Sequence, residues 1–453
     1  MHDIPFIVFL AALLGMGFRR PFLFVLAYAY IDIVSPQRLT YMLLNSLPIS
    51  MIAAGLAVVG WAVTDDKSGL RVTPRQGLLL VLLAYCAWTT AHADFPVDAQ
   101  SKWEWVWKAL AFAIFLPFTL RTRLRIEALL LFMTLSAASI IIVGGLKTAA
   151  GGGGYGELNL MIDNNSGLYE GSTISTVAVA IIPLIFWFTK HGTVFKPDWK
   201  VKLFAWALVG ACCLIPVGTS TRTGLLCIGL LAILKLRDVK RPLLYIGAVA
   251  AIGLVAVPFL PSAFTERMGT IKNYQGDSSA ATRVAVWNWT MDYVKTHPTG
   301  GGFEAYRGNH IRYEKVEASQ IDSNSVSLKT TIETDQARAY HSAYFEMLGE
   351  QGYPGLALWL LINLGGLFRM EVLRRRYRKA EGDEAWIGPL ASALQQGHIV
   401  YLLGGAFIAI AFQPFVFMLI GAQIGLDVYC ARRRAAAAWR PLRKPRRQAV
   451  MTA

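Results

Sequence analysis

Long apolar runs alternate with short polar segments along almost the whole chain. The runs lie at about residues 4–18, 20–34, 48–64, 76–92, 105–120, 124–146, 171–189, 202–217, 221–235, 241–260, 343–368, 389–412 and 414–431. Many approach the roughly 20 apolar residues that a helix needs to cross a bilayer. The pattern predicts an all-α polytopic membrane protein with about 12–13 transmembrane helices. The first two runs are short, and they fit either a hairpin or a pair in which one segment is re-entrant.

Composition agrees with this class. Apolar residues make up 55% of the 453 residues and charged residues only 16%, whereas soluble domains are about 45–50% apolar and about 25% charged. All five cysteines lie within or at the end of apolar runs, without metal-ligand spacing. We therefore expect them to be small buried hydrophobic residues, and we expect neither a metal nor a cofactor.

The formal net charge of +15 raises the question of a nucleic-acid partner, but the basic residues cluster between or after the apolar runs. The clusters are Arg19–Arg20, Lys67–Arg75, Arg121–Arg125, Lys190–Lys202, Lys235–Arg241, Arg369–Lys379 and Arg432–Arg447. Basic residues in short loops mark the cytoplasmic side, so the excess indicates topology, with the C-terminus inside. Residues 432–453 are predicted to be a basic cytoplasmic tail that contacts anionic lipid. No nucleic-acid partner is expected.

This topology places one long polar segment, residues 262–342, on the opposite side of the membrane. It divides the chain into an N-terminal transmembrane bundle (1–261), a large loop domain (262–342) and C-terminal transmembrane helices (343–431). Long loops are translocated largely regardless of their charge. A loop of this length that keeps aromatic and apolar residues is more typical of function than of a linker.

Within this loop, residues 276–298 are predicted to form an amphipathic helix. Residues Asp277 to Ser279 offer N-caps, and Pro298 ends the pattern. The predicted apolar stripe consists of Val284, Trp287, Met291 and Val294, which recur at steps of three and four residues.

Three further loop segments carry signals of their own. The turn TGGGFEAY, residues 299–306, is rich in glycine, which allows another backbone to approach closely. Residues 322–336 are polar and rich in Ser and Thr, which favours a mobile stretch. Residues 149–167 are too polar and glycine-rich to span a membrane, so they are predicted to form a second outer loop.

His341 lies where the long polar loop meets a membrane span. An imidazole titrates near neutral pH, so it can act as a general base or donate a hydrogen bond to a substrate. The alternative is an interfacial histidine whose ring tip reaches water. On an ideal helix Ser342, Glu346, Gly349 and Tyr353 share one face, and His341 lies on another. A carboxylate that orients this histidine must therefore come from elsewhere.

Two arginines are further candidates. Arg222 lies at the outer start of a span, where the positive-inside rule does not favour a cation, and a charge near the membrane is a functional hypothesis. Its alternative is an arginine that snorkels to the interface. Arg283 precedes Trp287 by one helical turn. Its alternative is a solvated arginine or one stacked on that tryptophan.

Three weaker candidates are cations on the same predicted side, and each has a structural or lipid-facing alternative. They are Arg38, Lys102 and Arg338. Because arginine recognises phosphate oxygens bidentately, this set suits an anionic lipid-linked substrate whose diphosphate lies at the outer interface. The sequence has no Walker, GxSxG or HExxH motif and no DxD-type carboxylate pair on the outer side. This disfavours a metal-dependent sugar-nucleotide transferase.

Residues 215–370 resemble the O-antigen ligase and polymerase family of bacterial membrane glycosyltransferases. The resemblance lies in STRTGLL (220–226), R-x-x-x-W (283–287), HPTGGGFEAY (297–306) and HSAYFEMLGEQGYPGLALWL (341–360). The last segment is similar to the family's His-Asn-x-Tyr…Glu-x-Gly-x-x-Gly block, with Ser342 where asparagine is frequent. AYAYIDIVSPQRLTY (27–41) and the GGGGYG…NN stretch resemble the exosortase-associated O-glycosylation ligase subgroup.

The resemblance implies a C-type glycosyltransferase fold in the bacterial inner membrane, with a large periplasmic loop and an active site facing the periplasm. It implies an O-antigen ligase of lipopolysaccharide biosynthesis, which transfers a glycan from undecaprenyl pyrophosphate to a hydroxyl of lipid A–core. The implied reaction is metal-independent and inverting. By position, Arg222 and Arg283 match the family's arginines proposed to hold pyrophosphate, and His341 matches its essential histidine. The expected partners are the lipid-linked donor, the lipid A–core acceptor and membrane lipids.

Three other functions stay open from the sequence. A polymerase would join two lipid-linked glycans by the same donor chemistry, and an O-oligosaccharyltransferase would use a protein hydroxyl as the acceptor. A transporter or flippase would instead place charged residues and broken helices near the bilayer midplane. That pattern fits the sequence less well, because the informative polar residues cluster on one side.

Overall fold

The protein is a bundle of helices whose long members run back and forth between two ends. The computed structural model describes residues 3–40, 44, 47–151, 168–256, 278–322 and 325–438. The helices before the long loop are α1 (Asp3–Gly17), α2 (Phe22–Val34), α3 (Pro36–Leu39), α4 (Ile49–Thr64), α5 (Pro74–Ala91), α6 (Pro96–Thr119), α7 (Arg123–Gly151), α8 (Gly171–His191), α9 (Trp199–Gly218), α10 (Arg222–Lys235) and α11 (Pro242–Ala256). The remaining elements are α12 (Ser278–Thr296), β1 (His310–Asp322), β2 (Ser325–Gln336), α13 (Ala343–Arg376), α14 (Ile387–Gly405) and α15 (Pro414–Ala438).

The predicted class, an all-α polytopic membrane protein, is confirmed. In the described part of the chain, five helices are long and apolar enough to cross a membrane: α7, α8, α9, α13 and α15. Helices α1, α2 and α4 are apolar but shorter. With 13 residues, α2 is only about 20 Å long at roughly 1.5 Å per residue. The count of 12–13 spans therefore stays a prediction, because the pattern counts apolar runs and does not measure helix length.

The alternating direction of the helices brings the predicted basic loops to one end of the bundle. Contacts between loops support this: Arg121 Nη2 donates to Asp66 over 2.9 Å, and Arg433 Nε lies 3.3 Å from Glu384. The starts of α6, α8, α10, α13 and α15 lie at the opposite end, which we call the site end. Residues 439–453 of the predicted tail lie outside the described residues, as do residues 152–167 of the second outer loop.

The apolar segment predicted over 389–412 ends earlier, because α14 stops at Gly405. The chain then continues without helix until Pro414 begins α15. This stretch is largely buried. Non-helical backbone is tolerated at such positions where protein groups satisfy it or where it lines a cavity, and residues 409–414 do line one.

The loop between α11 and α13 contains more than helices. Residues 322–336, which we expected to be mobile, mostly belong to β2, which pairs antiparallel with β1 from His310↔Gln336 to Asp322↔Ser325. The alternation of Val326, Leu328, Thr330 and Ile332 in SVSLKTTIETDQ explains the strand, because β-branched and apolar residues at every second position favour a strand. The prediction of a mobile stretch was wrong here, since residues 325–336 form a paired strand.

The amphipathic helix is confirmed as α12, but its predicted face was only half right. Of the predicted stripe, Val294 is fully buried and Trp287 half-buried, whereas Val284 and Met291 are exposed. Val286, outside the predicted stripe, is fully buried. Thr282 and Thr290 complete the buried face. Two threonines thus replace apolar residues at the positions that contact the rest of the protein, and an apolar-only count misses them. Asp277, a predicted cap, lies outside the described residues.

Candidate functional site

His341 lies in a tight backbone turn at the N-terminal end of α13. Its φ is 48°, in the left-handed region, and Ala337, four residues earlier, also has a positive φ of 54°. Histidine adopts this region more readily than β-branched or bulky residues do. The next residue, Ser342, is extended and buried, and α13 begins at Ala343. The turn holds His341 at the surface of the site end, where the residue is exposed.

The turn is fixed from two sides. On one side Trp287 of α12 donates its Nε1–H to the carbonyl of Tyr340 over 2.9 Å and stacks on Phe345, with ring centroids 4.9 Å apart. On the other side the buried Asn309 side chain bonds both backbone groups of Arg338, at 2.7 and 3.0 Å. The tryptophan of the R-x-x-x-W motif therefore has a structural role, because its hydrogen bond and its stacking contact fix the turn that carries His341.

The backbone of the glycine-rich turn after α12 docks closely on α13, which confirms the expected close approach. Gly301 and Gly302 donate to the carbonyls of Gly349 and Glu350 over 3.1 and 2.9 Å. At Gly352 the helix is kinked with a φ of 63°, and a Cβ there would lie 2.2 Å from the carbonyl oxygen of Pro298. Glycine is thus required sterically on this surface. The contact ties α12 to α13 and so orients the His341 turn.

Three charged residues surround His341 in the histidine cluster, which we define as Glu170, Arg283, Arg338 and His341. Packing around the ring lowers the pKa of His341, and the positive charges of Arg283 and Arg338 lower it further, while Glu170 opposes them. The imidazole therefore stays neutral, as a base must, to a lower pH than a free histidine. Arg338 also forms an ion pair with Asp335.

Glu170 is the functional candidate that sequence reasoning missed. It caps α8: its carboxylate accepts from the backbone N–H groups of Ser172 and Thr173, at 3.1 and 2.6 Å, and from the Thr173 hydroxyl at 2.7 Å. The sequence does carry a signal, an acidic residue directly before an outer-side helix start, but an N-cap role accounts for it equally well. Only the fold brings the start of α8 to His341.

Arg222 lies at the first turn of α10, at the same end of the bundle. A hydrogen-bonded hydroxyl cluster joins this turn to α8: Thr221 donates to Ser175 over 2.9 Å, and Ser175 lies 3.0 Å from the Thr219 hydroxyl. The α10 N-terminus adds a partial positive charge beside the guanidinium, which favours an anion. Arg222 is partly buried, so its charge is only partly screened by water.

Lys102 has a different environment, the Lys102 centre, formed by Lys102, Glu304, Glu346 and Glu350. Its ammonium donates to Glu346 at 2.7 Å and to both oxygens of Glu350 at 2.8 and 2.9 Å, and lies 3.9 Å from Glu304. The second oxygen of Glu346 accepts the backbone N–H of Ala411 at 2.9 Å. Glu346 therefore faces away from His341, as the helix geometry predicted. That Lys102 binds substrate stays a prediction.

A polar cavity of about 390 Å³ lies beside the Lys102 centre. It is lined by residues of α2 and α3, Ser50 of α4, the first half of α6 and Glu346 of α13, together with Glu304, Tyr306, Arg307, Ala409, Ile410, Phe412, Gln413 and Pro414. Arg38 and Lys102 both line it. Tyr306, another lining residue, contacts Tyr340 edge to face with ring centroids 5.6 Å apart, and Tyr340 directly precedes His341.

The six predicted site residues therefore separate into two groups. His341, Arg283 and Arg338 come together, with Arg222 at the adjacent start of α10. Arg38 and Lys102 belong to the polar cavity. The five cysteines are free, four of them buried and one half-buried, as expected of small hydrophobic residues in apolar runs.

Two family models match separate parts of the chain, much as the predicted site residues separate into two groups. Residues 1–193 match a family of unknown function, DUF5935. Residues 206–360, which include Arg222, Arg283, Arg338 and His341, match the family model described as O-Antigen ligase. No curated protein matches the chain. The match over residues 206–360 supports the resemblance of this part of the chain to the O-antigen ligase family.

Proposed function

We propose that this protein transfers a glycan from undecaprenyl pyrophosphate to a hydroxyl of lipid A–core, with the histidine cluster and Arg222 as the reacting centre. The observation that carries the proposal is the placement of His341 in a hydrogen-bonded turn, within the electrostatic influence of Arg283 and Arg338, inside the part of the chain that matches the O-antigen ligase family model. The basic loops lie at the opposite end of the bundle. By the positive-inside rule, this supports a site end that faces the periplasm.

The proposed reaction depends on stabilising the negative charge that develops on the pyrophosphate leaving group. The acceptor oxygen forms a bond to the anomeric carbon as the bond from that carbon to the pyrophosphate oxygen breaks, so negative charge builds on the leaving group. Arg222 and Arg283 stabilise this charge as preorganised donors at a partly dehydrated interface. Attack from the face opposite to the leaving group inverts the anomeric configuration. Two fixed guanidinium groups can stabilise the leaving group without a metal ion.

His341 takes the proton of the acceptor hydroxyl as the new bond forms. Burial and the neighbouring arginines keep the pKa of its imidazole below the usual value, so the basic form is favoured at neutral pH. General-base catalysis is worth roughly 10²–10⁴ in rate. Glu170 lies on the α8 side of the ring and stabilises the imidazolium that results.

The test is a transfer assay with the full chain in nanodiscs, in the presence of EDTA. It combines an undecaprenyl-pyrophosphate-linked glycan with lipid A–core and compares wild type, His341→Asn and His297→Asn. Asparagine tolerates the positive φ at position 341 and keeps a hydrogen-bond donor, so it removes the base and preserves the turn. We expect a loss of about 10²–10⁴ for His341→Asn. His297, exposed and stacked on Tyr293, is the matched control and should be neutral.

Each other result identifies a different function. Near-normal transfer by His341→Asn contradicts the general-base role. Elongation of one donor by another, without lipid A–core modification, identifies a polymerase. Transfer to a Ser or Thr side chain identifies a protein glycosyltransferase. A wild type that moves intact donor across the bilayer and transfers no glycan identifies a transporter.

A further inference from the structure

We propose that the polar cavity binds the saccharide part of the acceptor, so that the N-terminal region of unknown function contributes the acceptor site. This inference rests on the proposed function. Eleven of the twenty residues that line the cavity lie within residues 1–193. The cavity volume of about 390 Å³ falls within the roughly 300–1,000 Å³ typical of small-molecule sites.

The lining chemistry fits a polyhydroxylated ligand better than a phosphate. Five carboxylates and four cations line the cavity, so it carries no excess of positive charge. Two of the cations are already paired, Lys102 in its centre and Arg307 at 3.2 Å from Asp98. The pyrophosphate of the donor requires a net cationic site, which the arginines near His341 provide. A neutral sugar instead needs alternating donors and acceptors for its hydroxyl groups.

Two further features point to a saccharide. Trp105 and Tyr306 line the cavity and offer aromatic faces on which the apolar face of a sugar ring can pack. Gln37 also lines it, and its buried side-chain oxygen has no hydrogen-bond partner in the part of the chain that the structure describes. A buried polar atom without a partner is costly, and a sugar hydroxyl would satisfy it.

The position of the cavity favours the acceptor over the donor glycan. The cavity is lined mainly by α2, α3, α6 and the start of α15, with smaller contributions from α4, the segment after α12 and α13, whereas the arginines belong to α10, α12 and the His341 turn. Inversion requires nucleophile and leaving group on opposite sides of the anomeric carbon. Tyr306 contacts Tyr340, the residue before His341. A saccharide held in the cavity therefore approaches the imidazole from the side away from α8 and α10.

The first experiment measures transfer kinetics of Trp105→Ala against Trp107→Ala in the full chain. Both tryptophans are half-buried on α6, but only Trp105 lines the cavity. We expect Trp105→Ala to raise the KM for lipid A–core about tenfold, with kcat and the KM for the donor changed less than twofold, since only acceptor binding is lost. Trp107→Ala should match wild type. An unchanged acceptor KM in Trp105→Ala overturns the proposal.

The second experiment does not depend on catalysis. Ser101, an exposed lining residue, is replaced by cysteine and labelled with a water-soluble thiol reagent; Thr296→Cys, exposed on α12 and outside the cavity, is the control. Four of the five native cysteines are buried and one is half-buried, so background labelling should be low. Lipid-free core oligosaccharide should slow labelling of Ser101→Cys at least several-fold and leave Thr296→Cys unchanged.

Labelling is repeated in the His341→Asn background, where glycan transfer should be lost. The result therefore separates saccharide binding in the polar cavity from the proposed transfer reaction. Protection by the core oligosaccharide without any glycan transfer by wild type supports the cavity and contradicts the proposed reaction. Transfer by wild type without protection contradicts the cavity alone. Protection by the donor glycan and not by the core oligosaccharide also overturns it, because the cavity would then hold the donor.

Discussion

The Lys102 centre and the histidine cluster use the same kinds of charged residues in opposite ways. Lys102 is nearly buried, with a side chain 10% exposed, and two of its carboxylate partners, Glu346 and Glu350, are 4% and 0% exposed. Lys102 is the single cation among the three carboxylates of that centre, and Glu304 also lies 3.6 Å from Arg307. Around His341, burial lowers the pKa of the imidazole, two arginines lower it further, and one carboxylate opposes them. The first arrangement saturates its cation with carboxylates, whereas the second carries an excess of positive charge.

This difference separates two roles of a cation near the membrane interface, a structural role and a ligand-binding role. A buried ammonium that is saturated by carboxylates holds helices together, here α6 with α13 and, through Glu346, the non-helical segment at Ala411. It cannot bind a phosphate without giving up those bonds. The positive electrostatic potential of arginines beside a neutral histidine can instead attract an anionic ligand. The two regions should therefore respond differently to mutation.

The largest effect on stability is expected from Lys102→Met. Methionine leaves Glu346 and Glu350 buried without their counter-ion, and breaking a buried ion pair from one side costs about 3–5 kcal/mol. The free energy of unfolding in detergent should fall by that order. Lys295→Met is the control, because the ion pair of Lys295 with Asp292 lies at the surface, where such pairs contribute little to stability. If Lys102→Met is as stable as wild type but has a raised acceptor KM, Lys102 is a substrate ligand.

The next largest effect is expected from Arg222→Gln, on rate and not on stability. Loss of one preorganised donor to a developing anion costs roughly 10²–10³ in kcat. Arg222→Lys should recover only part of the rate, since it keeps the charge and loses the bidentate fork. Arg338→Gln should cost less, because Arg338 is already paired with Asp335. Equal losses for Arg222→Gln and Arg338→Gln in single-turnover assays would contradict this ranking.

A smaller effect is expected from Trp287→Phe, which tests the rigidity of the His341 turn. Phenylalanine keeps the stacking on Phe345 but removes the N–H that donates to Tyr340. One hydrogen bond is worth about 0.5–1.5 kcal/mol, so kcat should fall about tenfold or less. Trp289→Phe is the control, since Trp289 stacks on Tyr293 and not on the turn. An unchanged kcat would mean that Asn309 alone fixes the turn.

Local patterns predicted some parts of the fold and could not predict others. The apolar runs and basic clusters predict the class and the two ends, because each signal depends on neighbours in sequence. Glycines 300 to 302 predicted a close approach, although the sequence does not identify Gly352 as the partner. The pairing of Lys102 with Glu350 joins residues 248 positions apart, and the proximity of Glu170 to His341 also depends on packing. The polar cavity combines residues from at least five separate parts of the chain, so no single segment indicates it.

The smallest effect is expected from Glu170→Gln, and it concerns pH. The carboxylate raises the pKa of His341 against burial and the two arginines, so its removal should lower that pKa further. The neutral imidazole then persists to lower pH, and the acid limb of the kcat/KM profile should shift downward. Arg283→Gln removes a positive charge that lowers the pKa, so the limb of its residual activity should shift upward.

Glutamine still offers an oxygen to the N–H groups of Ser172 and Thr173, so the helix cap should weaken by about 1 kcal/mol at most. The pH profiles of wild type, Glu170→Gln and Arg283→Gln can therefore be compared in folded protein. Opposite shifts would show that His341 titrates in catalysis between these two charges. Shifts in the same direction, or none, would mean that another group governs the acid limb and that His341 only positions the acceptor.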